Sequence, residues 1–146
     1  MSSTVQNRST FLQNAVNSYV FELNNLGWAN IDRFYSDPRT RSVEFRTTVI
    51  DRTVFDQLCV KILFPKQKVY LPAYPARDGS YFFGHNEVEN QKLPVGEDAI
   101  VFATAFKNQT PYFFMQKIIT QEQQNLQIIL EPTTLKELKE TIKKNI

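Results

Sequence analysis

Hydrophobic and polar residues alternate with a period of two along most of this chain. The pattern is clearest in one run of apolar and small residues at every second position: Val43, Phe45, Thr47 and Val49. Because successive side chains of a strand point to opposite faces, this period predicts β-strands with one buried face. We predict about eight strands, at residues 19–23, 43–49, 58–62, 69–74, 81–84, 99–106, 111–120 and 126–130, and a short extended segment at 28–34.

Turn residues, prolines and one apolar run refine this prediction. The Asp78-Gly79 pair predicts a hairpin turn, because both residues tolerate the positive φ angles of tight hairpins. Pro72 and Pro75 predict that the strand containing them is an edge strand or an irregular one, since proline cannot donate a ladder hydrogen bond. Residues 99–106 are apolar on both faces, which predicts the most buried strand.

The period changes near the C-terminus. Apolar residues there recur at spacings of three and four: Leu135, Leu138, Ile142 and Ile146. These positions fall on one stripe of a helix. Thr134 and Glu137 have the spacing of a capping box, with the threonine at the N-cap. We therefore predict an amphipathic helix over 134–145 that covers one side or end of the sheet.

Few helical segments interrupt the strands, so a parallel βαβ architecture is disfavoured. The pattern predicts an all-β fold, namely an antiparallel β-sandwich of the immunoglobulin or transthyretin type with one C-terminal helix. A closed barrel is the alternative. We expect a single domain over residues 18–146, preceded by a flexible polar leader at 1–17.

Composition and charge argue against several classes of protein. Of the 146 residues, 42% are hydrophobic and 22% are charged, which is ordinary for a globular domain. The 17 basic residues are interleaved with 15 acidic ones, so a phosphate backbone would meet no concentrated positive field and we expect no nucleic-acid partner. A single cysteine, Cys59, excludes an internal disulfide. No apolar run reaches the length of a transmembrane helix, and the polar N-terminus lacks the hydrophobic region of a signal peptide.

Few residues of this chain form a pattern that is typical of a catalytic or metal-binding site. His85, Glu87 and Glu89 alternate, so in an extended segment they could face one side and bind a divalent metal ion. A polar connecting loop is the interpretation we favour, because a second histidine and a calcium-binding glycine loop are both absent from this segment. With one histidine in the chain, nucleophilic catalysis is disfavoured as well. We predict no catalytic residue and no cofactor.

The aromatic residues are more suggestive. Four tyrosines could share a face around one hairpin and, if that face is open, hold sugar rings or a partner protein: Tyr70, Tyr74, Tyr81 and Tyr112. The alternative, which we favour, is that these rings belong to a two-layer core, since sandwiches bury aromatic residues from both sheets.

One segment carries a family resemblance. Leu26-Gly27-Trp28-Ala29-Asn30-Ile31-Asp32-Arg33-Phe34 is similar to a GWINCDRF-type segment of exported, uncharacterised surface proteins of Bacteroidetes. The later Leu93-Pro94-Val95-Gly96-Glu97 resembles the end of the same proteins. The resemblance implies a C-terminal sandwich of the carboxypeptidase-regulatory or transthyretin-like kind, an extracytoplasmic address and further sequence upstream. Ala29 and Ile31 depart from the pattern, and the second departure removes a cysteine, so no thiol role carries over.

Together these observations predict a non-enzymatic structural or adhesion module of a cell-envelope protein, with a protein or a surface glycan as partner. We expect Trp28, Asp32, Arg33 and Phe34 to form a fold-defining corner, with the two aromatic residues buried and the two charged ones tying loops. Two alternatives remain open. One is a glycan-binding sandwich that uses the tyrosine face, and the other is a metal-dependent enzyme around His85.

Overall fold

The computed structural model of the chain describes residue 24 and residues 27–31, 34, 37–84 and 91–145. The predicted strand at 19–23 and the predicted leader at 1–17 lie outside these residues. The described strands are β1 (Ala29–Asn30), β2 (Thr40–Val49), β3 (Asp56–Phe64), β4 (Val69–Pro75), β5 (Tyr81–Phe83), β6 (Gln91–Pro94), β7 (Asp98–Lys107), β8 (Thr110–Ile119), β9 (Gln123–Ile128) and β10 (Glu131–Pro132). A 3-10 turn spans Arg52–Val54, and the C-terminal helix α1 spans Leu135–Asn145.

All ten of these strands belong to one hydrogen-bonded network, with the order β10-β8-β7-β3-β4-β5-β2-β6. Neighbours along this path are antiparallel, whereas β1 joins β4 and β9 joins β2 as parallel pairs beside it. The all-β class, mostly antiparallel and with a C-terminal helix, is therefore confirmed. The two-sheet sandwich stays a prediction, because one continuous path of pairs connects the strands.

The proline-containing strand β4 is not at an edge of the network. Its first half, Val69–Pro72, pairs with β3, and its second half, Ala73–Pro75, pairs with β5. Pro72 lies where the pairing changes, and its carbonyl accepts a hydrogen bond from the N–H of Gly84. The irregular strand, one of the two alternatives given for this sequence, describes β4 better than the edge strand.

The main core lies on one face of the strands. In β7 the eight residues from Ala99 to Phe106 are all buried, so this strand is the most buried one, as its sequence predicts. Val101 and Ala103 of β7 face apolar residues of β2, β3, β5 and β9. The rings of Phe45 and Phe83 meet edge to face with their centroids 5.2 Å apart, a geometry that aromatic pairs favour.

A second core lies on the opposite face of β7 and is covered by α1. Leu138 and Ile142 of the helix are 2% and 1% exposed and pack with Phe102 and Trp28. The helix begins as its sequence predicts, because the Glu137 N–H donates to the Thr134 Oγ1 at 3.2 Å. The predicted helix over 134–145 therefore agrees with the observed one, apart from the N-cap residue.

A buried glutamine replaces backbone pairing between β2 and β5. The two strands pair only at Thr47 and Tyr81. Next to that point the Phe83 N–H donates to Gln91 Oε1 at 2.5 Å, and Gln91 Nε2 donates to the Phe45 carbonyl at 2.7 Å. Because Gln91 is 6% exposed, its amide satisfies two buried backbone groups that would otherwise have no partner there.

Candidate functional site

The four candidate tyrosines do not form one open surface. Tyr70 is 3% exposed, lies in the second core and donates from its hydroxyl to Asn24 Oδ1 at 3.1 Å. Tyr81 and Tyr112 are half-buried against the main core. Tyr74 is 37% exposed. Of the four, only Tyr74 therefore contributes an accessible ring.

The two aromatic residues of the predicted corner, Trp28 and Phe34, lie in different parts of the structure. Trp28 is buried in the second core, whereas Phe34 packs edge to face on Phe64, 5.1 Å between centroids, beside the main core. The two aromatic residues therefore stabilise different cores. Asp32 and Arg33 lie outside the described residues.

The metal candidates His85, Glu87 and Glu89 also lie outside the described residues. Within the part of the chain that the structure describes, no three histidine, cysteine or acidic side chains come close enough to hold a metal ion.

A different set of side chains meets on the outer face of β9, β2, β5 and β4. Asn125 is paired in register with Arg46. The pairing of Thr47 with Tyr81 places Arg46 opposite Phe82, and Phe82 is paired with Tyr74. These four side chains therefore form one row that crosses four strands at right angles. The row begins with the amide of Asn125, continues with the guanidinium of Arg46 and ends with the rings of Phe82 and Tyr74.

Two further rows flank this one, with Glu44 beside Gln123 and Thr48 beside Gln127. We call the six polar residues of the three rows the polar face: Glu44, Arg46, Thr48, Gln123, Asn125 and Gln127. Four of them are exposed, and Arg46 and Thr48 are half-buried. Within the described part of the chain, no side chain of the polar face takes part in a hydrogen bond with another residue. Their donors and acceptors are thus available to water or to a ligand.

Packing fixes Arg46 within the polar face. Its guanidinium carbon lies 5.5 Å from the centroid of the Phe82 ring, a cation–π distance. Hydrogen bonds from the hydroxyl and the N–H of Ser80 lower the pKa of the Asp78 carboxyl, and the charge of Arg46 adds to that effect. The ring below Arg46 restricts its side chain, while Asp78 beside it keeps the local charge small.

A shallow groove follows the polar face. It has a volume of about 570 Å³ and is lined by Glu44, Arg46 and residues 123–125. A second groove of about 370 Å³ shares Glu44 and Gln123 with it and extends it to Ser42 and Glu122. The surface is therefore an open trough along β2 and β9 rather than an enclosed pocket.

Sequence reasoning missed the polar face, although its β2 half lies on a predicted strand. The alternation in β2 indicates that Glu44 and Arg46 share the solvent face. No local pattern indicates that β9 pairs with β2 in parallel, because the chain between them includes all the strands from β3 to β8. That long-range pairing is what brings the amides beside the two charges.

A second polar cluster is buried and centres on Glu97. Its carboxylate is fully buried, and Oε2 contacts the guanidinium of Arg39, which also contacts Asp37 at 3.3 Å. The backbone N–H of Glu97 donates to Thr120 Oγ1 at 3.0 Å. That hydroxyl in turn donates to the Pro94 carbonyl at 2.5 Å. The cluster ties the turn before β7 to the end of β8 and to the start of β2, so its role is structural.

Comparison with known proteins adds no relative to this description. No protein-family model, curated protein or solved structure matches the chain. Among the described residues, none of the helical segments has the length and apolar character needed to cross a membrane.

Proposed function

We propose that this chain is a non-enzymatic recognition module of a cell-envelope protein, and that it binds a glycan on the polar face. The observation that carries the proposal is the set of three rows in which six polar side chains form no hydrogen bond with any other described residue, beside the exposed Tyr74. The similarity of the segment at 26–34 to exported surface proteins supports the extracytoplasmic address.

The chemistry of the polar face suits a polyhydroxylated ligand. A carboxylate accepts hydrogen bonds, a guanidinium donates them, and each amide does both, so neighbouring sugar hydroxyls can be bound in either sense. Hydrogen bonds to Glu44 and Arg46 are charge-assisted and therefore stronger than neutral ones. The middle row ends at the exposed ring of Tyr74, which packs beside the buried Phe82, and an exposed aromatic ring provides the apolar surface on which the C–H face of a sugar can pack.

The dimensions and the charge of the polar face also support a glycan as the ligand. Adjacent strands are about 4.8 Å apart and alternate residues of one strand about 6.7 Å apart. The six side chains thus span roughly 5 by 13 Å, enough for an extended ligand of a few sugar rings. Arg46 is the one basic residue of the polar face, and it lies near Glu44 and Asp78, so a polyanion would meet no excess of positive charge there.

A glycan array probed with the whole chain, followed by calorimetric titration of any sugar that binds, tests the proposal. We expect Arg46→Met, which keeps the packing on Phe82, to weaken binding at least about tenfold, since a hydrogen bond to a charged group contributes about 1.5–3 kcal/mol. Gln123→Ala should weaken it about twofold to tenfold. Gln116→Ala is the matched control, because Gln116 is an exposed strand glutamine of β8, outside the polar face.

The proposal is wrong if no sugar on the array binds saturably. It is equally wrong if a sugar binds but Arg46→Met and Gln123→Ala leave its affinity at the level of Gln116→Ala, since the ligand would then occupy another surface.

A further inference from the structure

Strand β9 presents a free edge. Among the described residues it pairs with β2 alone. The carbonyls of Glu122 and Ile128 accept hydrogen bonds from the N–H groups of Glu44 and Ile50, at 2.8 and 3.0 Å. Even-numbered residues of β9 therefore direct their backbone groups toward β2. By the two-residue repeat of a parallel ladder, the odd-numbered ones direct their N–H and C=O groups outward: Gln123, Asn125 and Gln127.

This edge lacks the features that usually prevent strand pairing. The segment Gln123–Ile128 contains no charged residue and no proline, and its register with β2 runs without a bulge. The strands at the two ends of the network differ in this respect, since β6 is short and carries Lys92 and Pro94, and β10 consists of Glu131 and Pro132. Charge, proline and shortness are common protections of edge strands, so β9 is the unprotected one among these three.

Exposed apolar side chains lie at both ends of the same strand. Ile119 and Ile129 are 59% and 57% exposed, more than any other large hydrophobic residue of the described chain. Gln124 Nε2 donates to the Ile119 carbonyl at 3.4 Å, which places Ile119 beside the start of β9. Ile129 directly follows the end of β9. A partner strand along the free edge would cover apolar surface at both ends.

We infer that β9 pairs antiparallel with β9 of a second copy of this chain, forming a twofold-symmetric dimer. A twofold axis at Asn125 pairs it with itself and pairs Gln123 with the partner copy's residue 127. All three outward-facing residues then form hydrogen-bonded pairs, with about six N–H···O=C bonds in total. The segment carries no charge, so self-pairing opposes no like charges, and the amides of the two copies meet across the axis.

The dimer also has a geometric consequence for the polar face. Because β9 is its outer strand, pairing through β9 would join the polar faces of the two copies into one surface. The dimer itself requires no ligand, so it can be present or absent independently of glycan binding.

Sedimentation equilibrium of the whole chain without any sugar tests the inference, and two double variants test the register. Gln123→Lys/Gln127→Glu places opposite charges across the axis twice, whereas Gln123→Lys/Gln127→Lys places like charges there. The two positions are about 13 Å apart within one chain, so their interaction inside a monomer is screened. We expect the dimer Kd of the Lys/Lys variant to exceed that of the Lys/Glu variant by about tenfold or more.

A third variant tests the backbone directly. Asn125→Pro removes an outward N–H but none of the hydrogen bonds to β2, so we expect a folded monomer with an unchanged far-ultraviolet circular dichroism spectrum. Asn125→Thr, which keeps the N–H, is its control and should remain dimeric.

A wild-type chain that stays monomeric up to about 1 mM overturns the inference, because the free edge would then serve another strand or none. So does a dimer that dissociates equally in the Lys/Lys and Lys/Glu variants, since it would form through a different surface. Neither outcome bears on the sugar titrations, in which a single chain can bind.

Discussion

Gln91 and Gln123 carry the same amide group in two opposite situations. Gln91 is buried, and its donor and its acceptor are both bound by the backbone of β2 and β5. Gln123 is exposed on the polar face, and its amide has no partner among the described residues. The first amide is used by the fold itself, whereas the second is available to something outside it. This difference, rather than polarity as such, separates structural polar residues of this chain from candidate binding residues.

Of the substitutions that test this comparison, Gln91→Leu is expected to lower the free energy of unfolding the most. The substitution leaves the Phe83 N–H and the Phe45 carbonyl buried without partners, at about 1–3 kcal/mol for each group. We expect the free energy of unfolding, measured in urea, to fall by about 2–4 kcal/mol. Gln123→Leu is the matched control and should change it by no more than about 0.5 kcal/mol. Equal urea midpoints for the two variants would show that the bridge between β2 and β5 adds no stability.

The hydroxyl of Thr120 offers the next largest effect. Thr120→Val keeps the shape of a 1% exposed side chain but removes the group that binds the Glu97 N–H and the Pro94 carbonyl. We expect a loss of about 1–3 kcal/mol in the free energy of unfolding. Thr120→Ser, which keeps the hydroxyl, should retain more of the stability. If the serine variant is the less stable of the two, then packing of the methyl group matters more than the hydrogen bonds.

Much of the fold follows from short-range patterns. The alternation in β2 and β3, the continuous apolar run of β7 and the capping box at Thr134 each depend on residues close in sequence, and the structure contains these elements. β6 was missed, because residues 91–94 follow a polar stretch and show no clear alternation. The burial of Glu97 was missed too, since a charged residue in a turn ordinarily faces solvent and only the distant Arg39 and Thr120 give it partners.

The same distinction explains why the candidate site could not be predicted. The hypothesis that the four tyrosines share a face around one hairpin fails for one pair at least, because Tyr70 and Tyr81 belong to opposite faces of the strands. The polar face depends on the register of β2 with β9 and of β5 with β4, and neither register leaves a trace in local periodicity. Hydrophobic period identifies which residues share a face of one strand, but it does not identify the neighbouring strand.

A smaller effect is expected from pH, through Asp37 beside the buried cluster. Hydrogen bonds from the backbone N–H and the guanidinium of Arg39 lower the pKa of the Asp37 carboxyl below its ordinary value of 3.8. A lowered pKa contributes stability above about pH 3.8, and that contribution is lost as the pH falls through the folded-state pKa. We expect Asp37→Asn to flatten the acid limb of the stability–pH curve, measured by urea unfolding between about pH 2 and 5. An acid limb as steep as that of the wild type would show that other carboxyl groups account for it.

Gln127→Ala is expected to have the smallest effect on stability. It also tests whether an amide that the fold does not use takes part in binding. Gln127 is exposed on the polar face, and its amide binds no other described residue, so we expect the free energy of unfolding to change by no more than about 0.5 kcal/mol. If the polar face binds a glycan, the same substitution should weaken that binding about twofold to tenfold, because a neutral hydrogen bond contributes about 0.5–1.5 kcal/mol. Unfolding in urea and calorimetric titration of one purified sample measure both quantities. A loss of stability above about 1 kcal/mol would place Gln127 with Gln91, among the amides that the fold itself requires.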